Sequence, residues 1–98
     1  MSTGRAAPLP LSVLDLAPIS AGSSPVEAIR NSIALARAVE EWGYRRFWLA
    51  EHHFVAVGSS STATLIALVA AATQSIRVGS AAVQLGHHSK ASVVEAFG

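Results

Sequence analysis

The chain has 98 residues, 51% of them apolar and 13% charged, with a formal net charge of +1. Charged residues usually make up about 25% of a globular domain, so this composition excludes a disordered tail and describes largely buried structure. The seven basic residues are scattered, with Arg45-Arg46 the one adjacent pair, which argues against a nucleic-acid footprint or a basic amphipathic membrane helix, and the lack of cysteine excludes disulfides, thiolate metal sites and cysteine nucleophiles.

Met1 to Pro8 reads as a flexible leader. Arg5 and the apolar residues after it have the outline of a signal peptide, but Pro8, Pro10, Asp15 and Pro18 leave no continuous apolar region. Leu9 to Leu16 reads as a first strand, with Leu11, Val13 and Asp15 on one face and Leu14 and Leu16 on the other. Pro10 suits its beginning, where a missing donor does least harm. A loop follows over Ala17 to Ser23. Ser24-Pro25-Val26-Glu27 then opens a helix in capping-box order: an N-cap serine, proline at the first helical position and glutamate at the third. Val26, Ile29, Ile33, Ala36 and Val39 continue it as one apolar stripe. Gly43 is placed to end it in a left-handed conformation.

Arg46 to Ala50 reads as a second strand, apolar on both faces, which points to a parallel sheet covered by helices on at least one side. Glu51 to Ser61 is a loop. Thr62 to Thr73 reads as a second helix, apolar on nearly all sides and therefore expected to be buried or sandwiched. Its apolar run, Leu65 to Ala72, is far shorter than the roughly 20 residues of a membrane span. Ile76 to Leu85 reads as a third strand with Gly79 near its middle, Gly86 to Lys90 as a loop, and Ser92 to Phe97 as the first turns of a third helix.

This alternation predicts an α/β fold with parallel strands and right-handed crossovers. An open doubly wound sheet and a (β/α)₈ barrel both fit. No glycine-rich turn follows the first strand, which weighs against a dinucleotide-binding unit, and a barrel needs about 250 residues, so this would be less than half of one. A cytoplasmic location is expected.

Glu51-His52-His53 is where chemistry concentrates. It follows the second strand, and His87-His88 follows the third, so all four histidines fall on the carboxyl edge of a parallel sheet. Three readings compete. They cap the next helix or face water. They ligate a metal, although adjacent residues in extended chain point opposite ways, so at most one from each pair faces a common point, and no metal is expected. Or a histidine does acid–base work or stabilises a bound cofactor, with Glu51 raising its pKa and orienting its ring. Gly79-Ser80-Ala81-Ala82 is the other unusual stretch: small residues in an apolar strand permit close approach of a flat ligand, or equally of a packed helix. Phe47, Trp42 and Trp48 are assigned to the core.

Glu51-His52-His53-Phe54, the run Val78-Gly79-Ser80-Ala81-Ala82-Val83-Gln84-Leu85 and the opening Leu11-Ser12-Val13-Leu14-Asp15-Leu16 together resemble the first three strands of the luciferase-like flavin-dependent monooxygenases. Ser24-Pro25-Val26-Glu27 and Trp42-Gly43-Tyr44-Arg45-Arg46 fit as well, so the resemblance runs from about Leu9 to Gly98. It implies that residues 9–98 are the N-terminal part of a (β/α)₈ TIM barrel. That barrel is an oxidoreductase using reduced flavin (FMN, or a deazaflavin as in related barrels) and O2 on a small organic substrate. By the same resemblance His52 is the catalytic position and His53 supports it. Ala81-Ala82 forms a bulge against the flavin ring, often with a non-prolyl cis peptide, and Glu51 and His88 also line the cofactor. The family's Leu-Pro-Asn-His-Ser-Pro-like stretch is Leu85-Gly86-His87-His88-Ser89-Lys90 here, keeping only the histidine and serine of its polar centre. The alternative function is a non-catalytic barrel fragment acting in assembly. Uncovered sheet edges imply self-association or a partner chain, with no nucleic acid or membrane partner.

Overall fold

Three short parallel strands form one sheet in the order β1 (Ser12–Asp15), β2 (Arg46–Leu49), β3 (Arg77–Ser80). The structure, a computed structural model, describes residues 9–98; the expected leader lies outside the described residues. Ser12, Arg46 and Arg77 stand side by side in the register, as do Leu14, Trp48 and Gly79. Helix α1 (Pro25–Glu41) connects β1 to β2, α2 (Thr62–Ala72) connects β2 to β3, and α3 (Lys90–Phe97) follows. This is the expected βαβαβ order and parallel pairing.

The strands are shorter than the apolar runs. Before β1, only one further bond joins the neighbours, the Arg45 N–H donating to the Leu11 carbonyl at 2.8 Å. After it, Ala17 takes a left-handed φ of 49° and its carbonyl accepts from the Gly58 N–H at 2.7 Å, which turns the chain out of the sheet. The largest correction is to β3, expected to reach Leu85. One ladder bond continues past Ser80, from the Ala81 N–H to the Leu49 carbonyl at 2.9 Å. The Ser80 hydroxyl then donates to the Ala82 carbonyl at 2.7 Å, and Leu85–His87 wind into a single 3₁₀ turn. The third helix also starts earlier than expected, at Lys90, because Ser89 caps it by accepting from the Ser92 N–H.

Helix α1 begins and ends where its residues dictate. The Ser24 Oγ accepts from the Glu27 N–H at 3.2 Å, satisfying one of the orphan amides of the first turn. At the other end Gly43 adopts φ +88°, and its N–H bonds the Glu40 carbonyl while that of Tyr44 bonds the Val39 carbonyl, the two hydrogen bonds of a Schellman motif. The buried face differs from the expected stripe. Val26 is 56% exposed, whereas Ala28 and Ser32 are buried with Ala36 and Val39, and Ile29 and Ile33 pack at the margin. Small side chains let neighbouring backbone approach: a Cβ on Gly58 would sit 3.0 Å from that of Ala28.

Phe47 and Leu49 of β2 project into the core among Ala36, Val39, Leu65, Val69 and Ile76, with Val13 and Val78 at the margin. Burying a side chain the size of Phe47 contributes about 1.5–3 kcal/mol. Helix α2 buries Leu65 and Val69 but exposes Leu68, so it is covered on one side rather than sandwiched. The other face of the sheet carries Leu14, Trp48 and Gly79. Leu14 is 59% exposed, and the Trp48 indole crosses Gly79 so closely that a Cβ there would meet it at 2.9 Å. Of the three aromatic residues assigned to the core, Phe47 is fully buried, Trp48 lies partly buried on this second face, and Trp42 is a surface residue at the end of α1.

At the amino-terminal edge of the sheet, Glu40 closes the layers. Its Oε2 accepts from the main-chain N–H groups of Gln74, Ser75 and Ile76 at 2.8, 2.6 and 2.9 Å. These bonds, that of Ser75 foremost, lower the Glu40 pKa from 4.5 to about 2. No helix among the described residues is long and apolar enough to cross a membrane.

Candidate functional site

At the opposite, carboxyl edge of the sheet, Glu51 follows β2 and is only 4% exposed. A buried carboxylate is costly unless hydrogen-bonded, and this one is bonded on every side. Its Oε2 accepts from the His53 Nε2 at 2.5 Å and from the His88 Nε2 at 2.9 Å. Its Oε1 accepts from the Gln84 N–H at 3.3 Å, and its main-chain carbonyl accepts from the Gln84 side-chain amide at 3.0 Å. Burial pushes the Glu51 pKa up, but the hydrogen bonds from His53, His88 and Gln84 outweigh it, and the net direction is down. Because an ionised carboxylate only accepts, both histidines donate to Oε2 through Nε2–H.

The local chain path explains why these groups meet. Glu51 and His53 are two residues apart in extended chain and share a side. His88 reaches the same oxygen because the chain leaves the sheet after Ala81 and turns at Leu85–His87. His87 stays out of the carboxylate cluster, although its ring lies 4.2 Å from that of His53. Phe54, next in sequence, is 99% exposed and holds φ +60°, a left-handed conformation that costs an ordinary residue roughly 1–2 kcal/mol.

Glu51, His53 and His88 are therefore brought together, and His52 is not part of their network. His52 is half-buried in the irregular chain after β2. Ala81 and Ala82 are both exposed just beyond β3. No cis peptide bond occurs among the described residues, so the Ala81–Ala82 link is trans. Beside the cluster lies a cavity of about 250 Å³ bordered by Glu51, Thr62, Val83, His88, Val93 and Phe97. The Thr62 hydroxyl on this wall is buried with no hydrogen-bond partner.

The sequence reading assigned no role to Gln84, which fixes Glu51 through both its main-chain and side-chain N–H groups. The available signal was a long polar side chain inside an apolar run. The cluster also contains one histidine from each adjacent pair, His53 from extended chain and His88 from the end of the 3₁₀ turn.

The family described as luciferase-like monooxygenase matches residues 9–98. The uncharacterized protein YvbT of Bacillus subtilis strain 168 is 52% identical over 89 residues, covering 90% of this chain and 26% of YvbT. A luciferase-like monooxygenase of Escherichia coli K12 is 48% identical over 88 residues, covering 89% of this chain and 26% of that protein. The crystal structure of apo-MsnO8 superposes with a TM-score of 0.84 at 43% identity, covering 90% of this chain and 27% of that one. The chain thus spans about a quarter of the length of the relatives it matches.

Proposed function

Since the chain belongs to the luciferase-like monooxygenase family, we propose that its carboxyl-edge residues form one wall of a flavin site in a flavin-dependent monooxygenase, with His52 as the catalytic residue. The observation that carries this reading is the buried Glu51 holding His53 and His88 next to the exposed, small pair Ala81-Ala82. A flat cofactor needs a surface without large side chains beside it, and two methyl groups meet that need. The donor set also suits a redox-active ring system: imidazole N–H groups held in place by one carboxylate. Bound reduced FMN would supply the electrons for reducing O2, whereas a bound deazaflavin would supply a hydride to an organic acceptor instead.

The residues have separable tasks. His52, outside the carboxylate network, is free to hold or move a proton at a ring nitrogen. Glu51 orients His53 and His88 and fixes their tautomer. Ala81 and Ala82 leave room for the ring. The face around Leu14 and Trp48 is left uncovered by the described residues, so they do not decide the choice of small organic substrate.

Flavin fluorescence tests the reading. Addition of the chain to FMN quenches the emission with a micromolar constant, and His52→Ala or Ala82→Trp abolishes the quenching. Unchanged quenching in both variants contradicts the site. Absence of binding by the unaltered chain favours the other reading, a non-catalytic barrel piece. The edges of β1 and β3 and the uncovered face are expected to drive self-association or pairing with another chain. Sedimentation showing a monomer at all concentrations would contradict that expectation.

A further inference from the structure

The same three side chains also form a metal-donor set, and we propose that Glu51, His53 and His88 bind a divalent cation of the zinc class. One carboxylate oxygen and one nitrogen from each of the two imidazoles lie within 4.8 Å of one another. A tetrahedral zinc ion with bonds of about 2.0–2.1 Å sets its ligand atoms roughly 3.3 Å apart. The Glu51–His53 and Glu51–His88 contacts of 2.5 and 2.9 Å fall short of that spacing by less than an ångström. Two nitrogens and one oxygen suit zinc and its transition-metal neighbours, whereas calcium and magnesium prefer oxygen ligands throughout.

Three further observations favour an ion here. Gln84 already occupies Oε1 of Glu51, so the carboxylate is fixed to bind through Oε2 alone; such outer partners orient a ligand before the metal arrives. The ligands come from two separate segments, the end of β2 and the turn before α3, so the ion would clamp them together. The cavity beside Glu51 and His88 leaves a fourth coordination position open to water, and the side chains of His53 and His88 are 17% and 31% exposed, which gives the ion a way in. The flavin reading draws on the same three side chains, and His52, which lies outside this set, separates the two: it is needed for flavin and not for the ion. An ion on Nε2 would replace the protons now shared with Glu51, so metal occupancy and proton transfer at His53 or His88 exclude each other.

Isothermal titration of the chain with Zn²⁺, and the visible spectrum of its Co²⁺ complex, test the proposal. One ion binds per chain, and Co²⁺ gives the intense bands of tetrahedral coordination. His53→Ala and His88→Ala each weaken binding by more than the roughly 10- to 100-fold that loss of an outer partner costs, whereas Gln84→Ala, which keeps the main-chain N–H on Oε1, changes it by less than about 10-fold, and His52→Ala leaves it unchanged. Zn²⁺ also shifts the Nε2 resonances of His53 and His88 selectively in the unaltered chain, a readout independent of how the variants fold. Absence of 1:1 binding, equal loss in His52→Ala, or shifts spread over all four histidines would overturn the assignment. A flavin titration of the same sample is scored separately, so failure of one reading leaves the other standing.

Discussion

Two glutamates sit at opposite edges of the same three-stranded sheet, and their partners differ in kind. Glu40, at the amino edge, gathers three consecutive main-chain N–H groups at residues 74–76. Glu51, at the carboxyl edge, gathers two imidazoles and a glutamine. Amides do not titrate near neutrality, so Glu40 can only fasten the end of α1 to the start of β3. Imidazoles do titrate, so Glu51 fastens groups that can carry protons or ligands. The contrast matches a general division in parallel α/β folds, in which the amino edge serves stability and the carboxyl edge serves chemistry.

Four expected outcomes sharpen or break this contrast. The largest belongs to neither edge. Phe47→Ala empties the core between the two carboxylates and costs about 3–5 kcal/mol by chemical denaturation, removing the support of both together. Next, Glu40→Gln lowers the melting temperature by several degrees, while Glu51→Gln lowers it less. The pH dependence follows from the depressed Glu40 pKa. Its stabilisation is complete above 4.5, the value without these bonds, and is lost as pH falls through about 2 in the folded state. Acid unfolding followed by circular dichroism therefore shows a declining limb from pH 4.5 to 2 that becomes shallower in Glu40→Gln. The smallest effect is at Gly43, beside Glu40. A Cβ there meets nothing within 4 Å, so Gly43→Ala costs only the strain of φ +88°, about 1 kcal/mol.

Much of this layout was legible from local chemistry. Ser24-Pro25 and Gly43 bound α1 because capping and positive φ are decided by one or two residues. The Phe47-to-Leu49 run marked a buried parallel strand because both of its faces are apolar. The missed features depend on distant partners. Strand β3 stops at Ser80 although the apolar run continues to Leu85, because Glu51, 33 residues before Gln84, draws that residue out of line. Val26 fits the apolar stripe by spacing, yet Ala28 and Ser32 take the buried face because the Gly58 backbone passes against Ala28. At the site, alternation along extended chain accounts for the one inward member of the His52-His53 pair only. It does not account for His88, which is aimed by a 3₁₀ turn that the sequence does not announce.

The central claim is that the Glu51 edge holds ligand and the Glu40 edge holds structure. Flavin titration of the Glu51→Gln and Glu40→Gln chains, below the melting temperature of each, tests it most directly. The account predicts that Glu51→Gln weakens FMN binding by at least about 10-fold, the size of one charge-assisted hydrogen bond of about 1.5 kcal/mol. Glu40→Gln should bind as the unaltered chain does. Equal weakening in both variants, or none in Glu51→Gln, would contradict it.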